Sequence, residues 1–130
     1  MNFKQFYIEL GRLLYAIAKS DGAIQKEEIE EFYKILREEV LSFESSTDEF
    51  GTDRAFYTEF EFESLMDKNA GMNQTFLSFI KFMRKNKAHV TEDIKQLCTN
   101  AVERVAESYQ GIVHEEQFFI DKLKQELDKI

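Results

Sequence analysis

The stretch Leu10–Phe32, LGRLLYAIAKSDGAIQKEEIEEF, joins two helical patterns through an Asp-Gly break, and the rest of the chain is organised around it. Before the break, Phe3, Phe6, Tyr7, Leu10, Leu13, Leu14 and Ile17 recur at three- and four-residue steps. That spacing gathers them on one helical face and turns Lys4, Glu9, Arg12 and Lys19 the other way. Gly22 lacks the Cβ that penalises positive φ, so the helix can stop and turn there. After it, Ile29, Phe32, Tyr33, Leu36, Val40 and Phe43 return at helical spacing. Glu27, Glu28, Glu30 and Glu31 crowd the opening turns, where carboxylates favour the positive end of the helix dipole. The pattern predicts two amphipathic helices linked by a short acidic turn.

Proline is absent, so glycine carries the punctuation. Gly22, Gly51, Gly71 and Gly111 fall between periodic segments and cut the chain into five blocks. Gly11 lies inside the first helix, where it costs roughly 1 kcal/mol relative to alanine; a close helix–helix crossing is the simplest reason for it. The second block runs from about Lys26 to Phe43 and ends in the polar loop 44–53, with Thr52 or Asp53 as the next cap. In the third block, Arg54–Ala70, Phe56, Phe60, Phe62, Leu65 and Met66 spread around the wheel, which predicts a helix buried on two sides. The fourth follows Gly71 with Asn73 as its expected cap, and ends in Lys81, Arg84, Lys85, Lys87 and His89. Cations at a helix C-terminus complement its dipole, and a basic patch for an acidic partner is the alternative. The last block opens on Thr91, runs through Ile94, Leu97, Cys98, Ala101, Val102 and Val105, breaks at Gly111, and closes through Phe119, Ile120, Leu123, Leu127 and Ile130. No segment offers paired strands, so the fold class is all-α, a compact helical bundle.

A chain of 130 residues, 43% hydrophobic and 32% charged, reads as one soluble globular domain spanning residues 1–130. Its longest apolar run, Leu13–Ala18, is far short of the ~20 residues of a membrane span. Glu9 and Arg12 interrupt any secretory apolar region, and Cys98 is a single cysteine with no disulfide partner. A cytoplasmic location and a buried structural thiol are the expectations. The net charge of −8 is uneven: residues 1–65 hold 15 acids and 7 bases, residues 66–130 hold 10 of each. Such an acidic surface repels phosphate backbones, which argues against nucleic acid and for a cation or a basic partner.

Residues 105–116, VAESYQGIVHEE, read against residues 17–28, IAKSDGAIQKEE, without a gap. Ala106 meets Ala18, Ser108 meets Ser20, Ile112 meets Ile24, and Glu115-Glu116 meet Glu27-Glu28. Helical patterns flank both, so the chain reads as two copies of one helix–turn–helix unit about a pseudo-two-fold axis. Ile24 and Ile112 are expected to anchor the turns, with the acids beside them exposed. The copies differ where Asp21-Gly22 becomes Tyr109-Gln110.

Set on a calcium-binding EF-hand loop, Asp21 takes the fifth position, Gly22 the sixth, Ile24 the eighth and Glu28 the twelfth. Positions one and three would be Ile17 and Lys19, which donate no carboxylate, so a standard EF-hand is excluded. What remains is a partial oxygen site of Asp21, Glu27 and Glu28, able to hold calcium or magnesium weakly. The plainer reading makes Asp21 a turn cap and the glutamates partners of the helix dipole.

The pattern of Ala16–Glu28 resembles the TerB (tellurite-resistance) family, also found as a domain of membrane-tethered DnaJ-type co-chaperones. The resemblance covers residues 10–36 and 97–123. It implies an all-helical fold with an internal two-fold repeat, a role in a bacterial stress response, and divalent cations near the Asp-Gly turns. Two departures stand out. The second turn lacks its Asp-Gly, and Gln25 stands where the family usually places Ser or Thr.

The expected function is therefore an acidic stress-response module with a weak divalent-cation site. The alternative is a metal-independent interaction domain docking an unidentified protein partner through its Phe-rich third and fourth helices. No catalysis is expected, because His89 and His114 lie in polar surroundings and no nucleophile–base spacing or phosphate-binding glycine loop appears.

Overall fold

The computed structural model describes residues 1–43, 54–109, 111 and 114–130. Its order is α1 (Phe3–Lys19), α2 (Lys26–Ile35) running into a π-helical turn (Leu36–Val40), α3 (Ala55–Lys68), α4 (Met72–Lys85), a 3₁₀ turn (Lys87–His89), α5 (Glu92–Glu107) and α6 (His114–Asp128). All regular structure among the described residues is helical, and no helix there is long and apolar enough to cross a membrane. The expected caps at Thr52 and Asp53, and the Ile112 anchor, lie outside the described residues.

Helix α1 is the hub, packing against α3, α4, α5 and α6. Its run Leu13–Ala18 is buried on every side, as a helix apolar all round must be. This corrects the one-faced reading of α1. Glu9 was expected to point outward, yet α4 covers that side and buries it. The burial is tolerable because Arg12 donates to Glu9 at 2.7 Å and to Glu61 at 2.6 Å, while the Ser78 hydroxyl donates to Glu9 Oε1 at 2.5 Å. A paired, hydrogen-bonded charge avoids most of the desolvation penalty.

The crossing expected at Gly11 is present. A Cβ there would meet the Thr58 carbonyl oxygen at 2.7 Å, closer than any side chain tolerates, so only glycine lets α3 approach. Thr58 Oγ1 seals the contact by donating to the Tyr7 carbonyl at 2.7 Å. Helix α3 buries Phe62, whose ring stacks on Phe32 at 3.9 Å between centroids and meets Tyr15 edge-on. Phe56 and Phe60 remain exposed, so α3 is buried on one face rather than two.

The helix ends obey local chemistry. Asn2 caps α1 by accepting from the Gln5 amide at 3.0 Å, and Thr91 caps α5 by accepting from Ile94 at 3.2 Å. Asn69, in the left-handed region at φ 50°, ends α3. Asn73 does not cap α4: that helix begins one residue earlier, at Met72, and Gly71 precedes it in extended conformation. The π turn places Glu38 and Glu39 with Glu31 around Arg104 of α5, at 3.2, 3.2 and 2.6 Å.

Candidate functional site at the two helix openings

Helix α1 ends with Ser20 folding back on it. The Ser20 hydroxyl and amide both donate to the Ile17 carbonyl, at 2.7 and 3.2 Å. Gly22 takes φ +102°, the Asp21 carboxylate accepts from the Ala23 amide at 3.3 Å, and Ile24 is half-buried against the core. Gln25 then sits extended as the N-cap of α2. Its amide donates to Glu28 Oε1 at 2.8 Å, the return half of a capping box.

The C-terminal end of α5 repeats the first of these contacts. Ser108 donates through its hydroxyl and amide to the Val105 carbonyl, at 2.6 and 3.3 Å. A positive-φ glycine follows here too, Gly111 at φ +80°, though one place later than the gapless alignment puts Gly22. Glu28 is the third residue of α2 and Glu116 the third of α6. Glu27 and Glu115, the residues before them, are exposed.

Glu28 and Glu116 are 1% and 2% exposed, and their carboxyl groups are in hydrogen-bonding contact. Burial pushes the Glu28 carboxyl up to about 8; the Gln25 amide pulls it down, and the charges of Glu116 and Asp21 raise it further. At neutral pH Glu28 therefore favours its protonated form. Each carboxyl lies in the first turn of its helix, where the dipole favours negative charge.

The sequence-predicted residues thus divide. Asp21 and Glu27 are on the surface, whereas Glu28, expected beside them on the surface, is turned inward. The expectation that the acids flanking the turns are exposed is corrected for Glu28 and Glu116. Amphipathic spacing hides this, because glutamate at the third helical position is read as a dipole partner whether or not another helix covers it. The gapless echo of Glu27-Glu28 in Glu115-Glu116 was the signal that could have found Glu116. Asp21 is near enough to act on Glu28 through its charge. No group of three or more His, Cys, Asp or Glu side chains converges as a metal cage among the described residues.

Cys98 is buried in the α5 core stripe and its thiol is pushed up to about 12 by burial, which leaves it an apolar filler rather than a nucleophile. His89 and His114 are exposed. Comparison of the chain with models of known protein families, with characterised proteins and with solved structures yields no match.

Proposed function

We propose that the chain is a TerB-like, non-enzymatic module of a bacterial stress response, whose working part is the pair of helix openings. In this reading α1–α2 and α5–α6 are pseudo-two-fold copies that bring Glu28 and Glu116 together as a proton- or cation-sharing pair. The observation that carries it is the contact between two buried glutamates at equivalent helix positions. Burying two carboxyls is costly unless a proton or a cation lies between them. Helix α1 places Phe6, Leu10, Leu13, Leu14, Ile17 and Ala18 in the core, and 88 residues on, α5 places Ile94, Cys98, Ala101, Val102, Val105 and Ala106 there. That correspondence supports the repeat.

Glu28 and Glu116 would hold a calcium or magnesium ion, with Asp21 and Glu27 adding negative field at its approach. Two carboxylates form a hard-oxygen donor set too small for tight binding, so the expected dissociation constant is ~10⁻⁴–10⁻³ M. An ion at tenfold excess over Kd stabilises the fold by about 1.4 kcal/mol, a melting-temperature rise of a few degrees. The rise should be larger at pH 8.5 than at pH 6, because the ion competes with the Glu28 proton. Sodium chloride at matched ionic strength accounts for screening of the −8 charge. Glu28→Gln and Glu116→Gln should lose the calcium-specific part and keep the screening part. An equal response of wild type and both variants to calcium would reject the site.

Exposed Phe56 and Phe60 favour a second reading, a domain that docks a protein partner with no metal involved. A fold indifferent to calcium and magnesium that still binds through α3 selects that reading.

A further inference from the structure

Two surface features outside the glutamate pair complement each other. The first is a ridge on α3. Phe56 and Phe60 are 57% and 61% exposed, and their rings brace each other at 6.0 Å between centroids. The half-buried Glu59 and Glu63 and the exposed Asp67 follow at three- and four-residue steps on that side of α3, Glu63 accepting from the Tyr33 hydroxyl. Arg12, which lines the hollow beside Phe60, is already tied to Glu9 and Glu61, while Arg37 borders the far side of Phe56. The ridge is therefore apolar, convex and edged mainly with carboxylates.

The second feature is a groove of about 240 Å³ between α4 and α6. Phe76 and Ile80, both 3% exposed, form its floor, and the exposed Leu77 and Phe118 form its walls. Its rim is positive. Lys122 and Arg84 line it, with Arg84 holding the buried Glu126 at 2.6 Å while keeping much of its own guanidinium in solvent. Lys81 and Lys85 stand exposed on the same helix, α4. Arg84, Lys81 and Lys85 belong to the basic patch seen in sequence, and of these Arg84 lines the groove itself.

We infer that the α3 ridge of one copy of this chain docks into the α4–α6 groove of another. Convex apolar side chains meet a concave apolar floor, and carboxylates on the ridge meet ammonium and guanidinium groups on the rim, which fixes orientation. The contact joins two different surfaces, so each copy that docks still presents a free ridge or a free groove. Such heterologous contacts build rings or open chains rather than closed two-fold dimers. Repulsion between copies of net charge −8 keeps the association weak.

The test uses the intact chain and two double variants, Phe56→Ser with Phe60→Ser and Leu77→Ser with Phe118→Ser. All four side chains are exposed, so the helical circular dichroism of both variants should match wild type. Sedimentation velocity up to about 1 mM protein should show the wild-type mass rising above 15.4 kDa with concentration. Each double variant alone should stay at the monomer mass. An equimolar mixture of the two should form a 1:1 complex that grows no further, since one intact ridge and one intact groove remain. A wild type that stays monomeric, a variant that associates like wild type, or a mixture that fails to pair would each overturn the inference.

Discussion

Glu9 and Glu126 are buried against arginines, whereas Glu28 is buried against another carboxyl, and the contrast separates structure from candidate function. Glu9 receives Arg12 at 2.7 Å and Glu126 receives Arg84 at 2.6 Å. Each pair ties two elements of the bundle or secures a helix, and Arg84 holds the Glu126 carboxyl below its usual range. Glu28 has the opposite environment. Burial, Glu116 and Asp21 all push its proton on rather than off. A paired charge is what a fold needs in order to tolerate burial; a like pair costs stability and persists where something has a use for it.

The largest effect should come from breaking a cross-charge pair. Arg12→Met leaves Glu9 buried opposite Ser78 and Glu61 without its cation, and should cost about 3 kcal/mol in denaturant unfolding. Adding Glu9→Gln should restore most of that loss, because the uncompensated charge is the source of the cost. A single variant within about 0.5 kcal/mol of wild type would show that the α1–α3–α4 crossing rests on Gly11 and Thr58 rather than on this network.

That crossing also shows how far the sequence could be read. The interior glycine pointed to a close approach, and Gly11 meets the Thr58 carbonyl as only glycine can. Helix identities were legible because the 3.6-residue period is a local property, and it survived even in α3, where Phe60-Glu61-Phe62-Glu63 alternates like a strand. Which faces are covered was not legible, because that depends on neighbours distant in sequence. Glu9 looked solvated until α4 was laid over it, and Phe56 and Phe60 looked buried although only the Phe62 side of α3 meets the core. For the candidate site, Asp21, Glu27 and Glu28 were read from spacing, but Glu116 lies 88 residues from Glu28. The two meet only because α2 and α6 both return to α5.

Intermediate effects of opposite sign should distinguish the two kinds of buried glutamate. A carboxyl whose folded pKa is raised leaves the folded chain holding more protons than the unfolded one between the two values. The Glu28 contribution to stability is therefore greatest below about 4.5 and is lost as pH rises through about 8. Glu28→Gln keeps an acceptor for the Gln25 amide and removes the charge, so it should raise stability at pH 8.5 by about 1–3 kcal/mol and flatten the profile between pH 5 and 8. Glu126 runs the other way: its folded pKa is lowered, so its contribution is present at neutral pH and is lost as pH falls through the carboxylate range. Because Arg84 is largely solvated, Glu126→Gln should cost only about 0.5–1 kcal/mol at pH 7. Thermal melts at pH 5, 7 and 8.5 check both. Variants that shift stability in the same direction at pH 8.5 would erase the distinction.

The smallest effect is the most local. Asp21 is exposed and accepts a turn hydrogen bond from Ala23 at 3.3 Å, yet its charge is among those that raise the Glu28 carboxyl. Asp21→Asn keeps a side-chain oxygen for the Ala23 amide and removes the charge. The upper end of the pH range over which stability falls should then move down, so that more stability is kept at high pH, with little change in melting temperature at pH 5, where Glu28 is protonated in either protein. Added salt should shrink the difference between the two proteins, because an exposed charge acts through solvent and is screened within about 10 Å at 0.1 M. Following the Glu28 carboxyl by ¹³C chemical shift reads the group directly. A Glu28 titration that does not move in Asp21→Asn would confine the coupling to Glu28 and Glu116, and would remove Asp21 from any cation site built on them.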